Sequence, residues 1–288
     1  MKKSLNLEVN SDSKSIIPNK SSTSYLAYKY LKLMEDRDLD NAKKMLSPSF
    51  SMIFPSNKIF YNYKNLIEYG AKRQKSVKKK FLLFDEINNS KESIIYVSGY
   101  LYGEAINGEC FKNIRFIDRF SLKDDLFVDQ LVWNEMGEFD LGFKESLNSL
   151  KFKEGVSVNN FKSEALEIID NFNNKIYNND PEYKKYIKES KFKCYWPGEK
   201  STLSSNKLFT YLSKRYLISN KEYYSFDEIK KNKEKVIYCY GRMSGTLKSG
   251  VNFQGIRFIE KFIIEDKKII YLSILDDLGE YNLRVKIK

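Results

Sequence analysis

The chain has 288 residues and no histidine, and its 50 Lys and Arg against 38 Asp and Glu give a formal net charge of +12. This length accommodates two domains of ordinary size, and no apolar run is long enough to span a bilayer. The absence of such a run argues against a membrane protein. Because the lysines are spread among acidic residues and no recognised nucleic-acid-binding motif occurs, we do not expect a nucleic-acid-binding protein either.

The N-terminal part of the sequence predicts a polar tail followed by helices. Residues 1–22 have two lysines but no apolar segment of the kind found in a secretory signal, so we predict a disordered tail. Residues 23–46 place apolar side chains at helical spacing on both sides of the polar segment EDRDLD, which predicts a helix, a break and a second short helix. The segment SFSMIF predicts a strand that ends at Pro55, and residues 62–77 have the pattern of a third helix.

After residue 77 the apolar residues alternate with polar ones. Four segments separated by Asn, Gly and Asp clusters predict consecutive strands of an antiparallel meander: KKFLLFDEI, SIIYVSGYLYGEA, ECFKNIRFIDRFSL and LFVDQLVWNEM. Helices followed by such a sheet predict an α+β fold.

The same pattern occurs a second time, 142 positions later. NIRFIDRF at 113–120 matches GIRFIEKF at 255–262, and FDEI at 84–87 matches FDEI at 226–229 without a gap. Three glycines of each copy coincide in this register: Gly99, Gly103 and Gly108 with Gly241, Gly245 and Gly250. Each copy has the length of a domain, so we predict two homologous domains, residues 23–139 and 164–288, joined by a linker at 140–163.

The three cysteines argue against a disulfide framework. Cys110, Cys194 and Cys239 are odd in number, and none of them falls on a cysteine of the other copy. Their spacing does not resemble a zinc site either. We therefore predict reduced thiols in a cytoplasmic protein that uses no metal and no cofactor.

The order of helices, strand, helix and meander resembles the nuclear transport factor 2-like superfamily, and within it the SnoaL-like polyketide cyclases. Three short motifs carry the resemblance in the first copy: Arg115-Phe116 in an aromatic-basic strand, the turn 123–126, and Trp133-Asn134-Glu135 at the end of the last strand. Their counterparts in the second copy are 257–258, 265–269 and 275–277. The resemblance covers nearly all of both copies.

The resemblance implies cone-shaped domains in which a curved antiparallel sheet wraps around helices and leaves a pocket between them. Members of the superfamily usually form dimers through their sheets. Two tandem copies in one chain therefore predict an intramolecular pseudo-dimer, which would allow the chain to act as a monomer.

The strand at 113–120 places a carboxylate among apolar side chains. Alternation puts Asp118 on the same face as Phe116, and Glu260 takes the place of Asp118 in the second copy. If this face lines the pocket, burial would raise the pKa of the acid and suit it to proton transfer, with Phe116 in contact with the substrate. The alternative is that the carboxylate pairs with an Arg or Lys of a neighbouring strand.

The end of the last strand offers a second acid. Glu135 follows Trp133, at a position where the family often has a pocket acid, and Asp277 is its counterpart. Asn134 and Asp276 would then point the opposite way. A structural role for Glu135 is equally open. Three tyrosines are candidate substrate contacts, with packing as the alternative: Tyr61, Tyr63 and Tyr100.

Without histidine, only carboxylate acid–base chemistry remains among the mechanisms of the family. We predict a small-molecule pocket protein, acting as an isomerase, cyclase or lyase on an apolar substrate with a carbonyl group, with Glu135 or Asp118 as the base and Trp133 in the pocket. Two alternatives stay open: a non-catalytic domain that binds an apolar ligand, and a structural or protein-interaction module whose pockets are filled by side chains. Trp133, Tyr61 and Tyr63 become Leu275, Leu203 and Ser205, so we expect one working site, in the first copy.

Overall fold

A computed structural model describes residues 14–89, 92–142, 144–147, 163–199 and 201–283. The first part of the predicted tail and most of the predicted linker, residues 1–13 and 148–162, lie outside this range. The chain divides into two compact units: Met1–Met136 with Leu141–Phe143, and Gly137–Asp140 with Lys144–Lys288. Each unit is α+β, as the sequence predicts.

The first unit begins with helices and continues as a sheet. Its helices and strands, in chain order, are α1 (Thr23–Glu35), α2 (Leu39–Lys43), β1 (Leu46–Phe54), β2 (Lys58–Phe60), α3 (Tyr63–Ala71), β3 (Gln74–Asn88), β4 (Ser93–Ala105), β5 (Cys110–Lys123) and β6 (Leu126–Asn134). The strands lie in the order β2-β1-β6-β5-β4-β3. Strands β3 to β6 form the predicted antiparallel meander.

Strand β1 makes this sheet mixed and not wholly antiparallel. It runs parallel to β6, with Met52 opposite Gln130, and antiparallel to β2. Alternation in the sequence indicates that a segment is a strand but not which edge it joins. The sequence therefore does not predict that β1 lies beside β6, to which it is joined by the long connection through α3 and the meander.

The third helix is shorter than the sequence predicts. The Asn62 side chain accepts a hydrogen bond from the Asn65 backbone N–H at 3.0 Å and so caps the start of α3, but the helix ends at Ala71 and not near residue 77. Residues from Gln74 onward pair with β4, where Gln74 lies opposite Ala105. Pairing with the neighbouring strand therefore overrides the helical spacing of the last residues.

Part of the predicted disordered tail packs on the edge of the first sheet. The Ile16 backbone N–H donates to the carbonyl of Phe81 on β3 at 2.8 Å, and the Phe81 N–H donates to Ser15 Oγ at 3.1 Å. Residues 15 and 16 therefore belong to the first unit, and the prediction of disorder up to residue 22 is wrong for them.

The repeated glycines lie where two strands approach closely. A Cβ atom added to Gly99 on β4 would lie 1.9 Å from the carbonyl oxygen of Lys80 on β3. The pairing of β3 with β4 shifts register next to this point, between Phe81 and Leu83. Only a residue without a side chain fits such a bulge, which explains why glycine occurs in both copies.

The second unit repeats the same plan. Its elements are α4 (Glu164–Tyr177), β7 (Lys193–Tyr195), α5 (Ser205–Arg215), β8 (Tyr216–Lys231), β9 (Glu234–Leu247), β10 (Asn252–Glu265) and β11 (Lys268–Asp276). The strand order is β7-β11-β10-β9-β8, and β7 runs parallel to β11 as β1 does to β6. Two mixed sheets, each preceded by helices, confirm the predicted fold class. The pseudo-dimer stays a prediction.

Within the described residues, the three cysteines are free thiols, of which Cys110 is exposed and the other two are buried. No helix in the described ranges is long and apolar enough to cross a membrane.

Candidate functional site

The first unit contains a cavity of about 180 Å³ between its helices and its sheet. Helices α1 and α3 form one side of the cavity, and strands β1, β3, β4, β5 and β6 form the other. Most of the wall is apolar: Leu31, Met34, Met52, Phe54, Leu66, Ile67, Val77, Leu101, Phe116 and Val132. The amphipathic faces of α1 and α3 therefore cover the sheet without filling all of the space above it.

One end of this cavity is polar. Tyr30 of α1, Lys79 of β3 and Gln130 of β6 line it, and Asp118 of β5 lies fully buried beside them. Lys79 Nζ donates a hydrogen bond to Asp118 Oδ2, and Gln130 Nε2 donates to the same oxygen at 3.4 Å. The ammonium group of Lys79 also lies 4.1 Å from the centroid of the Phe116 ring. We call Tyr30, Lys79, Gln130 and Asp118 the polar cluster.

Three buried atoms of the polar cluster find no hydrogen-bond partner in the described part of the chain. They are the hydroxyl oxygen of Tyr30, Oε1 of Gln130 and Oδ1 of Asp118. Because the Asp118 carboxylate holds the amide nitrogen of Gln130, the carbonyl oxygen of that amide is directed elsewhere. A buried polar atom without a partner costs about 1–3 kcal/mol, so three in one cluster need an explanation.

Burial controls the ionisation of this cluster. Desolvation raises the pKa of the Asp118 carboxyl, against the opposing effect of the Lys79 charge and of the hydrogen bonds from Lys79 and Gln130. Desolvation also raises the pKa of Tyr30, and the nearby charge of Asp118 adds to this effect. The Tyr30 hydroxyl therefore stays protonated and can donate a hydrogen bond.

A second carboxylate, Glu35 of α1, also lines the cavity. Its Oε2 accepts from the Lys79 backbone N–H at 3.1 Å and its Oε1 from Lys32 Nζ at 2.7 Å, so both oxygens join α1 to its surroundings. Among the described residues, no group of three or more possible ligand side chains could hold a metal ion.

The structure brings only some of the predicted site residues to the cavity. Phe116 lines it and Asp118 lies at its polar end, and the sequence alternative of an ion pair between Asp118 and a neighbouring strand is found as Lys79. Tyr61 is 73% exposed, and neither Tyr63 nor Tyr100 is among the lining residues.

The side chains of the last strand face the opposite way from the prediction. Val132 and Asn134 line the cavity, so Trp133 and Glu135 point to the opposite face of the sheet. Arg115 holds the Glu135 carboxylate there through its side chain, and the Arg115 backbone N–H donates to Glu135 Oε2 at 3.2 Å. The sequence indicates that side chains alternate along this strand, but it does not indicate which of the two sets faces the cavity.

The second unit keeps the ion pair but changes its surroundings. Lys221 donates to the fully buried Glu260 at the positions of Lys79 and Asp118. Glu260 Oε2 also accepts from the Tyr223 hydroxyl at 3.0 Å and from Asn173 Nδ2 at 3.5 Å, so both carboxylate oxygens have partners within the protein. At the positions of Tyr30 and Gln130, this unit has two buried apolar residues, Phe172 and Leu272.

At another cavity position the side chain of the second unit is larger: Trp196 stands where the first unit has Phe54, and it is 1% exposed. Its ring lies 5.8 Å from the guanidinium carbon of Arg215, which stands at the position of Arg73 and is also 1% exposed. The other predicted acid of this unit, Asp277, pairs with Arg257 at 3.4 Å, as Glu135 does with Arg115.

Sequence reasoning missed Tyr30, Lys79 and Gln130. A signal for Lys79 was present, because Lys79 and Lys221 coincide in the register of the repeat just as Asp118 and Glu260 do. The differences Tyr30 to Phe172 and Gln130 to Leu272 lie in the same register. They could be recognised as a site only after the helices and strands were brought together.

The first unit is thus an α+β domain with a cavity between its helices and a mixed sheet, and the second unit has the same α+β plan. No protein-family model matches the chain, and no curated protein matches it significantly. Solved structures do match, among them an NTF2-like protein of unknown function from Burkholderia pseudomallei, with 14% identity, coverage of 38% of this chain and 88% of that chain, and a TM-score of 0.33.

Two further matches have similar values. An NTF2-like protein of unknown function from Exiguobacterium sp. 255-15 is 10% identical, with coverage of 38% of this chain and 96% of that chain and a TM-score of 0.31. A proposed SnoaL-like polyketide cyclase from Shewanella putrefaciens CN-32 is 12% identical, with coverage of 40% and 91% and a TM-score of 0.33.

Proposed function

We propose that the first unit binds a small, largely apolar molecule in its cavity and that the second unit serves as a scaffold without an equivalent site. The observation that supports this most is the contrast between the two copies. The first has a cavity lined at its polar end by Tyr30 and Gln130, each with a buried atom that has no partner in the described part of the chain. The second has the apolar side chains Phe172 and Leu272 at these positions and gives both Glu260 oxygens partners of its own.

The size and the lining of the cavity support a small ligand. An apolar cavity of about 150 Å³ is known to bind benzene, and drug-sized ligands occupy pockets of about 300–1,000 Å³. A volume of about 180 Å³ lies close to the first value. The apolar wall supplies the driving force, since burying a ring removes its surface from water.

Fluorobenzene is a suitable apolar probe, because its binding can be followed by ¹⁹F NMR with the whole chain. We expect a bound signal that is lost in Val132→Phe, since the larger side chain fills the cavity. Leu131→Phe is the matched control, because Leu131 is the neighbouring residue of β6 on the other face of the strand. Failure of the unaltered protein to bind the probe, or equal binding by both variants, would contradict the proposed function.

A second candidate, acid–base catalysis without a cofactor, is favoured by one specific observation: the raised pKa of Asp118 beside the cavity. A carboxyl group with a raised pKa holds a proton more readily than an ordinary aspartate, which favours a role in proton transfer. In this reaction Asp118 would take a proton next to a carbonyl group of the ligand, while Lys79 and the Tyr30 hydroxyl stabilise the oxyanion.

The two sequence-predicted bases can be tested together. Exchange of the α-protons of a small cyclic ketone with deuterium oxide, measured by NMR, should be faster with the protein than without it. The catalytic candidate predicts that Asp118→Asn abolishes this acceleration and that Glu135→Gln leaves it unchanged. The reverse result would restore Glu135 as the base, and an absence of acceleration would leave the chain as a binding protein.

A further inference from the structure

We infer that the ligand of the first unit is a single-ring molecule whose polar group both donates and accepts a hydrogen bond, as a phenol or an enol does. This inference rests on the proposed function and names the chemical class of its ligand. It follows from the volume of the cavity and from the hydrogen-bonding capacity of the polar cluster.

The volume limits the ligand to about one ring. The space of about 180 Å³ is slightly larger than the benzene-sized cavity of about 150 Å³ and well below the pockets that hold drug-sized molecules. A molecule of several fused rings exceeds this volume, whereas a single ring with one small substituent does not.

The polar cluster supplies both kinds of hydrogen bond. The Tyr30 hydroxyl stays protonated, because burial raises its pKa, and it has no acceptor in the described part of the chain. Among the described residues Gln130 Oε1 is an acceptor without a donor, and Nε2 of the same amide donates to Asp118. A ligand hydroxyl can accept from Tyr30 and donate to Gln130 at the same time.

The second unit supports this assignment. At these two positions it has Phe172 and Leu272, which can neither donate nor accept a hydrogen bond, although the neighbouring ion pair is kept. The ion pair is therefore common to the two copies, whereas the donor and the acceptor occur only in the first copy, where Tyr30 and Gln130 line the cavity.

Three fluorinated probes of nearly equal size test the inference in the unaltered full-length protein. 4-Fluorophenol can donate and accept, 4-fluoroanisole can only accept, and fluorobenzene does neither to a useful degree. We expect 4-fluorophenol to bind about tenfold more tightly than 4-fluoroanisole in ¹⁹F NMR titrations, since one hydrogen bond and one unpaired buried acceptor separate them. Equal affinities for the three probes would overturn the inference but leave the proposed function standing.

Two variants give the first unit the residues that the second unit has at these two positions. Tyr30→Phe and Gln130→Leu should each weaken 4-fluorophenol binding about tenfold and change fluorobenzene binding less than about twofold. Tyr216→Phe is the control, because Tyr216 has a buried hydroxyl without a partner among the described residues of the second unit. Retention of the 4-fluorophenol preference in both variants would overturn the inference, and binding of no probe at all would instead overturn the proposed function.

Discussion

Lys79 and Asp118 form an ion pair in the first unit, and Lys221 and Glu260 form the same pair 142 positions later in the second. Both carboxylates are fully buried. Because the second unit keeps the pair and gives its acid further partners of its own, the pair belongs to the architecture of the fold. The ligand binding proposed for the first unit therefore depends on the residues that surround the pair.

Removal of one partner should destabilise the first unit strongly. We expect Lys79→Met to lower the free energy of unfolding by about 3–5 kcal/mol, because it leaves the Asp118 carboxylate buried without its cation. Urea unfolding in a Trp196→Phe background measures this effect, since Trp133 fluorescence then reports the first unit. The double variant Lys79→Met/Asp118→Leu should recover most of the loss, because it leaves no buried charge.

The matched control for this prediction is Lys75→Met on the same strand. Lys75 pairs with Glu104 at 2.7 Å, but both side chains are exposed. Exposed pairs contribute about 0–1 kcal/mol, so the loss should be small. Similar losses for Lys75→Met and Lys79→Met would show that burial of the Lys79 pair has no energetic consequence.

The sequence could predict Asp118 but not its partners. Alternation along β5 places this carboxylate among apolar side chains, and the copy at Glu260 supports the choice. Lys79 comes from β3, which is separated from β5 by β4, and Tyr30 comes from a helix. Contacts between residues so far apart in the chain depend on strand order and helix packing, which periodicity does not contain.

The raised pKa of Asp118 predicts a particular pH dependence of stability. Because the folded chain holds this proton up to a higher pH than the unfolded chain, the stabilisation is complete below the ordinary aspartate pKa of about 3.9 and is lost as the pH rises through the raised value. In Asp118→Asn the side chain cannot ionise, so this variant does not lose stability in the same way. The unfolding free energy of the variant should therefore rise relative to that of the unaltered protein across this window and level off above it.

Urea unfolding of both proteins at a series of pH values measures this difference. The comparison removes the opposite trend of other acids such as Glu265, whose hydrogen bonds from Lys188 and Lys191 lower its pKa to about 2. The free energy of unfolding of the unaltered protein could instead rise relative to that of Asp118→Asn as the pH rises. That result would mean that the charge of Lys79 outweighs burial and that the pKa of Asp118 is lowered.

Glu135 should contribute to stability and not to ligand binding. Its carboxylate accepts from the side chain and the backbone N–H of Arg115, on the face of β6 opposite the cavity. We expect Glu135→Gln to lower the free energy of unfolding by about 1–3 kcal/mol, because it weakens a hydrogen bond between buried charged groups. Fluorobenzene binding should stay unchanged, and a loss of binding at unchanged stability would support the pocket role that the sequence predicted for Glu135.

The fold itself was predictable to the level of its elements. Helical spacing predicts α1 and α2, and alternation predicts β3 to β6. What the sequence could not provide was the parallel neighbour of β6 and the end of α3, since both depend on pairing between distant segments. The register of the repeat was informative for a physical reason, because the repeated Gly99 lies at a close approach of two strands.

This close approach gives the last prediction. At Gly99 an added Cβ atom would lie 1.9 Å from the Lys80 carbonyl oxygen, which belongs to the backbone and cannot turn away. We expect Gly99→Ala to lower the free energy of unfolding by about 3 kcal/mol or more, because β3 and β4 must separate locally. Urea unfolding followed through Trp133 measures the loss, and Gly241→Ala should have the corresponding effect on the second unit, where the added atom would lie 1.8 Å from the Glu222 carbonyl oxygen.

Gly70 in α3 provides the opposite case within the same unit. An added Cβ atom there meets nothing within 4 Å, and the residue lies inside a helix. Gly70→Ala should therefore raise the free energy of unfolding by about 0.5–1 kcal/mol, since alanine restricts the unfolded chain and favours the helix. If Gly99→Ala were tolerated as well as Gly70→Ala, the close contact between β3 and β4 would not be what selects glycine at this position of both copies.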